Sequence, residues 1–251
     1  MTPFAEFPAA AARRIRLVLT DVDDTLTDGP RLPAATYGAI ERLSAAGMTV
    51  IPVTAAPAGW CDLMARMWPV GAVIGENGGL CFRRKEGAAE RYYWAAPAER
   101  EAARARLQAL AADIAGEIAG DQRYRETTLA FVNRDPAENE AIMARLTAAG
   151  ARATVNSLWV VGWFGDFDKL AMTRRMMAEL FTLDIDRDGD ACLYVGDSPN
   201  DAPMFDFFAT SVGVASVSRY AMPALPRWIT TGAGGAGFVE VADRLLAARA
   251  G

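Results

Sequence analysis

Two aspartates lie two residues apart directly after a short apolar segment. They are Asp21 and Asp23, and the apolar segment runs from Ile15 to Leu19. Such a segment predicts a buried strand, and open α/β sheets bind their ligands beyond the carboxyl ends of their strands. Two carboxylates this close repel each other, so the pair indicates a site that also binds a cation. Considered alone, the pair is explained equally well as a polar turn that leaves the strand.

A second acidic motif follows a second apolar segment, Cys192 to Val195. The motif reads Gly196-Asp197-Ser198-Pro199-Asn200-Asp201. The N-terminus of a helix explains the later residues of this motif, but it does not explain Asp197. If the two strands are neighbours, Asp197 converges with Asp21 and Asp23, and a divalent ion would offset the repulsion among the three carboxylates.

Two further side chains could bind a phosphoryl group. Thr54 ends a predicted strand, and its hydroxyl could donate a hydrogen bond. Lys169 lies in the first turn of a helix predicted over 167–181, and its ammonium could neutralise an anionic oxygen. The residues of this helix predicted to face inward are Phe167, Leu170, Ala171, Met177, Leu180 and Phe181. Each of the two residues alone is also explained as an ordinary structural or solvated side chain.

The order of the predicted elements indicates an α/β protein with an insertion. Strands alternate with helices before residue 79 and again after residue 166, which predicts a doubly wound parallel sheet in a Rossmann-like core. Between these halves, a hairpin, a long helix, a strand, a second helix and two more strands predict a smaller α+β unit. We therefore expect a core domain over 1–79 and 166–251 and an inserted domain over 80–165.

Composition and charge indicate a small ligand. The formal net charge of −5 and the pI of about 5.0 argue against nucleic acid and acidic membranes, because both usually require a basic face. No apolar run approaches the roughly 18 residues of a membrane span. The segment Met1–Arg14 lacks a basic region ahead of an apolar one. We expect a cytoplasmic monomer or homodimer with neither a nucleic-acid nor a membrane partner.

The sequence contains no histidine, which excludes the commonest general base and every Ser-His or Cys-His dyad. Cys61, Cys81 and Cys192 are scattered, so we expect reduced core thiols and not a disulfide or a zinc site. Catalysis would have to use carboxylates, Lys, Thr or Tyr. Carboxylate and water ligands suit a hard divalent ion, and Mg²⁺ is the expected cofactor.

Four segments together resemble the motifs of the haloacid dehalogenase superfamily of phosphatases. They are, in chain order, Asp21-Val22-Asp23-Asp24-Thr25, Val53-Thr54, Asp168-Lys169 and Gly196 to Asp201. The insertion lies between the second and third motifs. It resembles the α+β cap of the branch that includes sucrose-phosphate, trehalose-phosphate and mannosyl-3-phosphoglycerate phosphatases. Glu76-Asn77-Gly78 also resembles that branch.

The resemblance implies a role for each motif residue. Asp21 would be the nucleophile that forms an aspartyl-phosphate, and Asp23 would protonate the leaving oxygen and later take a proton from the attacking water. Mg²⁺ would be bound by Asp21, the backbone carbonyl of Asp23 and Asp197. Asp201 would bind the ion through water or orient Lys169. The implied ligands of the phosphoryl oxygens are Thr54, Lys169 and Asn200.

The inserted cap would choose the substrate. Trp163 and Phe164 lie near its end, and we predict that they contact the substrate, with core packing as the alternative. Basic residues around the predicted hairpin turn indicate a solvated tip, or less simply a grip on a substrate carboxylate. These basic residues are Arg83, Arg84, Lys85 and Arg91.

We therefore expect a magnesium-dependent phosphatase that acts on a small phosphorylated metabolite, either a sugar phosphate or a glycosyl phosphoglycerate. Two alternatives stay open. One is a phosphosugar mutase related to the eukaryotic phosphomannomutases. The other is a catalytically inactive phosphometabolite-binding protein, against which the presence of both Asp21 and Asp23 argues.

Overall fold

The computed structural model describes residues 1–250. The strands are β1 Thr2–Pro3, β2 Leu17–Thr20, β3 Thr49–Pro52, β4 Val73–Gly75, β5 Leu80–Lys85, β6 Ala88–Tyr93, β7 Thr128–Val132, β8 Arg152–Val155, β9 Trp159–Trp163, β10 Cys192–Gly196, β11 Ser211–Gly213 and β12 Trp228–Ile229. The α-helices are α1 Ala9–Arg14, α2 Ala34–Ala45, α3 Ala58–Met67, α4 Pro97–Asp113, α5 Pro136–Ala148, α6 Lys169–Phe181, α7 Ala202–Phe207 and α8 Gly234–Ala250.

A parallel six-stranded sheet forms the centre of the molecule, in the order β1-β12-β11-β10-β2-β3. Strand β2 therefore has β10 on one side and β3 on the other. Thr20 at the end of β2 pairs with Val195 of β10 and with Pro52 of β3, so the three strands end at the same level. The loops that follow them leave the sheet side by side.

Helices cover both faces of this sheet, as the predicted doubly wound fold requires. Side chains alternate along β2, so Val18 faces one side and Leu17 and Leu19 face the other. The Val18 side packs against α1, α2 and α8, whereas the opposite side packs against α6 and α7. Because apolar residues occupy both faces, the central strands are fully buried. The predicted α/β class is confirmed.

The predicted hairpin, β5 and β6, forms a second sheet with β4. Strand β4 is joined to β3 by a parallel bridge between Ile74 and Val53, so this small sheet continues from the core. Leu80 and Phe82 of the hairpin pack in the core cluster with α3.

A third sheet, antiparallel and in the order β7-β9-β8, packs with α4 and α5 around a separate apolar cluster. Leu129, Phe131 and Val160 are fully buried there. The division into a core and a cap over 80–165 stays a prediction. None of the helices within residues 1–250 combines the length and the apolarity needed to cross a membrane.

Candidate active site

Three carboxylates meet where β2 and β10 end. One oxygen from each of Asp21, Asp197 and Asp201 lies within 4.8 Å of the other two, and all three residues are buried. Asp21 follows β2, and its backbone N–H donates to Val195 of β10. The expected meeting of the two acidic motifs is therefore observed. Asp23 is half-buried, and its carboxylate is outside this group of three.

Lys169 lies inside the carboxylate cluster. Its Nζ is 3.0 Å from Oδ2 of Asp21 and 2.6 Å from Oδ1 of Asp201, and its side chain is 1% exposed. The lysine begins α6, where Oδ1 of Asp168 caps the helix by accepting from the Ala171 N–H. Burial leaves the ammonium no water to bind, so it depends on these two carboxylates.

Asp201 accepts four hydrogen bonds that link the parts of the cluster. Its Oδ1 accepts from Lys169 and from the Tyr194 hydroxyl, and its Oδ2 accepts from the backbone N–H groups of Asp197 and Ser198. A Cβ at Gly196 would lie only 2.4 Å from that Oδ2, so the motif requires glycine there. Asp201 contacts Lys169, and it also offers an oxygen to the group of three carboxylates, so both roles implied for it stay predictions.

Asp197 supplies an oxygen that has no donor. Its Oδ1 accepts from the Thr25 hydroxyl at 3.1 Å, while its Oδ2 is buried without a hydrogen-bond partner among the described residues. A buried carboxylate oxygen without a donor is costly, and a cation can satisfy it. Together with Asp21, it offers the hard oxygen ligands that suit a divalent ion.

Burial raises the pKa of the Asp21, Asp197 and Asp23 carboxyls. Desolvation is the largest cause, and it raises the pKa of Asp21 to about 8, of Asp197 to about 9 and of Asp23 to about 6. The negative charge of Asp201 adds to the rise for Asp21 and Asp197, and the positive charge of Lys169 opposes it. A metal-free site therefore holds protons more tightly than free aspartates do.

Because of these raised pKa values, the free energy of unfolding of the metal-free protein depends on pH. A carboxyl with a raised pKa binds its proton more tightly in the folded state, so the free energy of unfolding falls as the pH rises from about 4 toward the folded pKa. In metal-free buffer, we expect wild type to lose more stability between about pH 5 and about pH 8 than Asp197→Asn, which has no proton to release there. Urea unfolding measures the difference. An equal or larger loss of stability in Asp197→Asn would contradict the raised pKa of Asp197.

The predicted phosphoryl ligands lie around this cluster. Thr54 lies two residues after the end of β3, and its hydroxyl accepts from the Ala56 N–H at 3.0 Å. Asn200 lies in the 3₁₀ turn Pro199–Asp201. Asn200 and Lys169 line one cavity of about 230 Å³. The structure thus brings Lys169 and Asn200 together, with Thr54 on the neighbouring loop.

The two predicted cap contacts lie in different places. Trp163 lines the cavity of Lys169 and Asn200, stacks on Phe167 and donates its Nε1–H to the Phe167 carbonyl. Phe164 lines a separate cavity of about 440 Å³, with the Arg106 guanidinium 3.6 Å from its ring centroid. Contact with a substrate stays a prediction for both, and the position of Trp163 next to Lys169 favours it more.

No protein-family model and no curated protein matches the sequence. Solved structures match nearly all of it. The C-terminal domain of trehalose-6-phosphate phosphatase from C. albicans is 14% identical, with a TM-score of 0.69 and coverage of 98% of each chain. A haloacid dehalogenase-like hydrolase from Bacteroides thetaiotaomicron is 16% identical, with a TM-score of 0.66, covering 92% of this chain and 99% of that one. The sucrose-phosphatase of Synechocystis sp. PCC6803, in complex with sucrose and phosphate, is 13% identical, with a TM-score of 0.62, covering 93% of this chain and 98% of that one. The chain has the haloacid dehalogenase fold.

The family resemblance carried by the four motifs is thus confirmed at the level of the fold. In this haloacid dehalogenase fold, the first and fourth motifs follow neighbouring parallel strands, β2 and β10, and the second follows β3. The third motif begins α6 and places Lys169 between the carboxylates.

Glu76 is a residue whose role the sequence did not reveal. It is fully buried, and its carboxylate accepts from the backbone N–H of Ala58 in the core. It also accepts from the segment that leads into β7 through the Glu126 N–H, the Thr127 N–H and hydroxyl, and the Thr128 hydroxyl. One side chain therefore ties the start of the third sheet to the core of this haloacid dehalogenase fold. The only signal in the sequence was the Glu-Asn-Gly string.

We expect Glu76→Ala to lower the free energy of unfolding by about 3 kcal/mol or more, because it leaves several buried donors without an acceptor. The backbone φ of Glu76 is +50°, which also disfavours alanine. Glu86→Ala is the matched control, since Glu86 has a φ of +51° but lies exposed in the hairpin turn. Urea unfolding of the two variants separates the lost hydrogen bonds from the backbone strain. Equal losses in the two variants would show that the Glu76 carboxylate contributes nothing.

Proposed function

We propose that this protein is a magnesium-dependent phosphatase that hydrolyses a small phosphomonoester through an aspartyl-phosphate. The observation that carries the proposal is the Asp21 carboxylate, buried at the end of β2 between Lys169 and the unpartnered oxygen of Asp197. A carboxylate in this position has a cation on one side and, on the other, a carboxylate oxygen that no hydrogen-bond donor satisfies. Both features suit the handling of a phosphoryl group.

In the first step, an oxygen of Asp21 attacks phosphorus, and the bond from phosphorus to the leaving oxygen breaks. The Asp21 carboxylate is held in place because Oδ1 accepts from the Val22 N–H at 2.8 Å and Oδ2 contacts Lys169. Asp23 gives its proton to the leaving oxygen. The pKa of Asp23, raised to about 6 mainly by desolvation, brings this carboxyl toward the range in which it can both donate and accept a proton near neutral pH.

In the second step, water attacks the phosphorus of the aspartyl-phosphate and gives a proton to Asp23. The bond from phosphorus to Asp21 breaks, which restores the carboxylate and releases phosphate. Lys169 and the proposed ligands Thr54 and Asn200 neutralise or bind the phosphoryl oxygens in both steps. Asp201 keeps the Lys169 ammonium in position throughout.

The residues that would hold Mg²⁺ are Asp21 and Asp197 through their carboxylates and Asp23 through its backbone carbonyl. The donor set fits because it consists of hard oxygens, one of which is buried without a partner. When bound, the ion reduces the negative charge that an anionic nucleophile meets at a phosphate.

The substrate that we propose is a small phosphorylated metabolite, a sugar phosphate or a glycosyl phosphoglycerate, chosen by the inserted cap over 80–165. The solved structures with this fold include a trehalose-6-phosphate phosphatase domain and a sucrose-phosphatase, which supports a phosphorylated sugar. Trp163 supports it also, since an aromatic ring beside Lys169 can stack on a sugar face.

A panel of phosphomonoesters, assayed for phosphate release with Mg²⁺ and with excess EDTA, tests the proposal. We expect release from at least one sugar phosphate with Mg²⁺ and loss of that release in EDTA. Interconversion of hexose 1- and 6-phosphates without phosphate release would favour the mutase instead. Binding without either reaction would favour an inactive phosphometabolite-binding protein.

A further inference from the structure

Asn77 lies in a backbone segment of unusual conformation. Glu76, Asn77 and Gly78 have φ values of +50°, +57° and +102°, so three consecutive residues are in the left-handed region. Non-glycine residues seldom adopt this conformation, and its cost persists only where the surroundings enforce it. Such strain is concentrated at functional sites, so the contacts of the segment need an explanation.

The segment contacts the three loops that carry the proposed phosphoryl ligands. The backbone N–H of Asn77 donates to the carbonyl of Thr54 at 3.0 Å. The side-chain Oδ1 of Asn77 accepts from Nδ2 of Asn200 at 3.3 Å. Gly78 packs so closely against the residue before Lys169 that a Cβ would lie 2.2 Å from the Asp168 carbonyl oxygen. Asn77 is thus placed among the loops that present Thr54, Lys169 and Asn200.

In the structure, the Asn77 amide has its oxygen toward Asn200. The Ser198 hydroxyl donates to Oδ1 of Asn200, so the Nδ2 group of Asn200 is directed to Asn77. Asn77 must then present its oxygen to Asn200, which turns its own Nδ2 away from that contact. This Nδ2 is buried and has no hydrogen-bond partner among the described residues, although Asn77 is only 2% exposed.

A buried amide donor without an acceptor is costly unless a ligand completes it. Asn77 lines the same 230 Å³ cavity as Lys169 and Asn200. We propose that Asn77 binds the substrate, with its Nδ2 donating a hydrogen bond to an oxygen of the phosphoryl group. This inference rests on the proposed function, and it adds a fourth ligand to the phosphoryl group. The strained backbone is the means by which the amide reaches that position.

Binding of inorganic phosphate, measured by calorimetry in the presence of Mg²⁺, tests the inference without turnover. Asn77→Gly keeps the left-handed backbone and deletes the amide. We expect its dissociation constant for phosphate to rise roughly 10-fold or more, as the loss of a hydrogen bond to a charged group predicts. The KM of a hydrolysed substrate should rise in parallel. Thr182→Gly is the matched control, because Thr182 is also left-handed, with a φ of +54°, but caps the far end of α6.

Asn77→Asp is the second variant, in case the glycine variant does not fold. Aspartate tolerates the left-handed region and keeps an acceptor for Asn200, but it has no donor and adds a negative charge beside the phosphate, so phosphate should again bind at least roughly 10-fold more weakly. Phosphate affinity within twofold of wild type in either folded variant, in a protein that hydrolyses phosphomonoesters, would overturn this inference alone. A wild-type protein that releases no phosphate from any phosphomonoester would overturn the proposed function.

Discussion

Asp21→Asn should reduce phosphate release by roughly a thousandfold or more, the scale of effect seen when a covalent nucleophile is removed. The amide is nearly the same size as the carboxylate, and its oxygen can still accept from the Val22 N–H. It cannot, however, attack phosphorus as an anion. Initial rates with the best substrate of the panel provide the measurement.

The same substitution should leave the protein folded and no less stable. Burial raises the pKa of Asp21 to about 8, so the charged carboxylate is costly in the folded state, and Lys169 keeps Asp201 as its partner when Asp21 is replaced. Asp24→Asn is the matched control, because Asp24 belongs to the same motif but does not contact Lys169. Its left-handed backbone, with a φ of +55°, accepts asparagine. A turnover rate for Asp21→Asn near that of Asp24→Asn would refute the nucleophile.

Lys169→Met should lower the free energy of unfolding by about 3 kcal/mol or more at neutral pH, since it leaves buried carboxylates without their counter-ion. Methionine has a similar length and fills the same space, so lost charge and not lost volume causes the effect. Phosphate release should disappear as well, because the phosphoryl group loses its cation. Urea unfolding and initial rates give the two readouts.

Two further variants check the cause of that loss. Adding Asp201→Asn to Lys169→Met removes one of the unpaired charges and should recover part of the stability. Arg174→Met, on the same helix, breaks an exposed ion pair with Asp186 and should cost about 1 kcal/mol or less. A Lys169→Met variant as stable as Arg174→Met would contradict the electrostatic role of Lys169.

The meeting of Asp21 and Asp197 could be predicted from the sequence because simple rules govern it, whereas the third carboxylate of the cluster is that of Asp201 and not the expected Asp23. An apolar run followed by aspartates identifies a strand end, and parallel strands present their ends at one edge of a sheet. Asp21 and Asp197 therefore lie close together because β2 and β10 are neighbouring strands. The sequence could not show which oxygen lacks a donor, because that depends on Thr25 reaching only one oxygen of Asp197.

The inward face of α6 was predicted only in part. Phe167 and Met177 are buried as expected. Leu170 and Ala171 were also expected to face inward but are half-buried, and the other fully buried residues of the helix are Met172, Thr173 and Met176. The reason is Lys169, which points inward to the carboxylates and sets the rotation of the helix. Hydrophobic periodicity assigns a lysine to the solvent-facing side of a helix. Where a buried ion pair turns the lysine inward, the buried face predicted from periodicity differs from the true one.

Glu76 and Asn77 show a second limit. A left-handed backbone is disfavoured for Glu76, and the partners of the two residues lie far along the chain at Thr127 and Asn200. Local propensity therefore contains no information on either role. The hairpin illustrates the same limit, since its alternation predicts two paired strands but not the pairing of β5 with β4.

The most direct test of the account is to stop the wild-type enzyme in acid during turnover and to locate covalently bound phosphate by mass spectrometry of its peptides. We predict a phosphoryl group on Asp21 that forms only with Mg²⁺ and is absent from Asp21→Asn. Steady hydrolysis with phosphate on a different residue, or with none on Asp21 at any time during turnover, would contradict it.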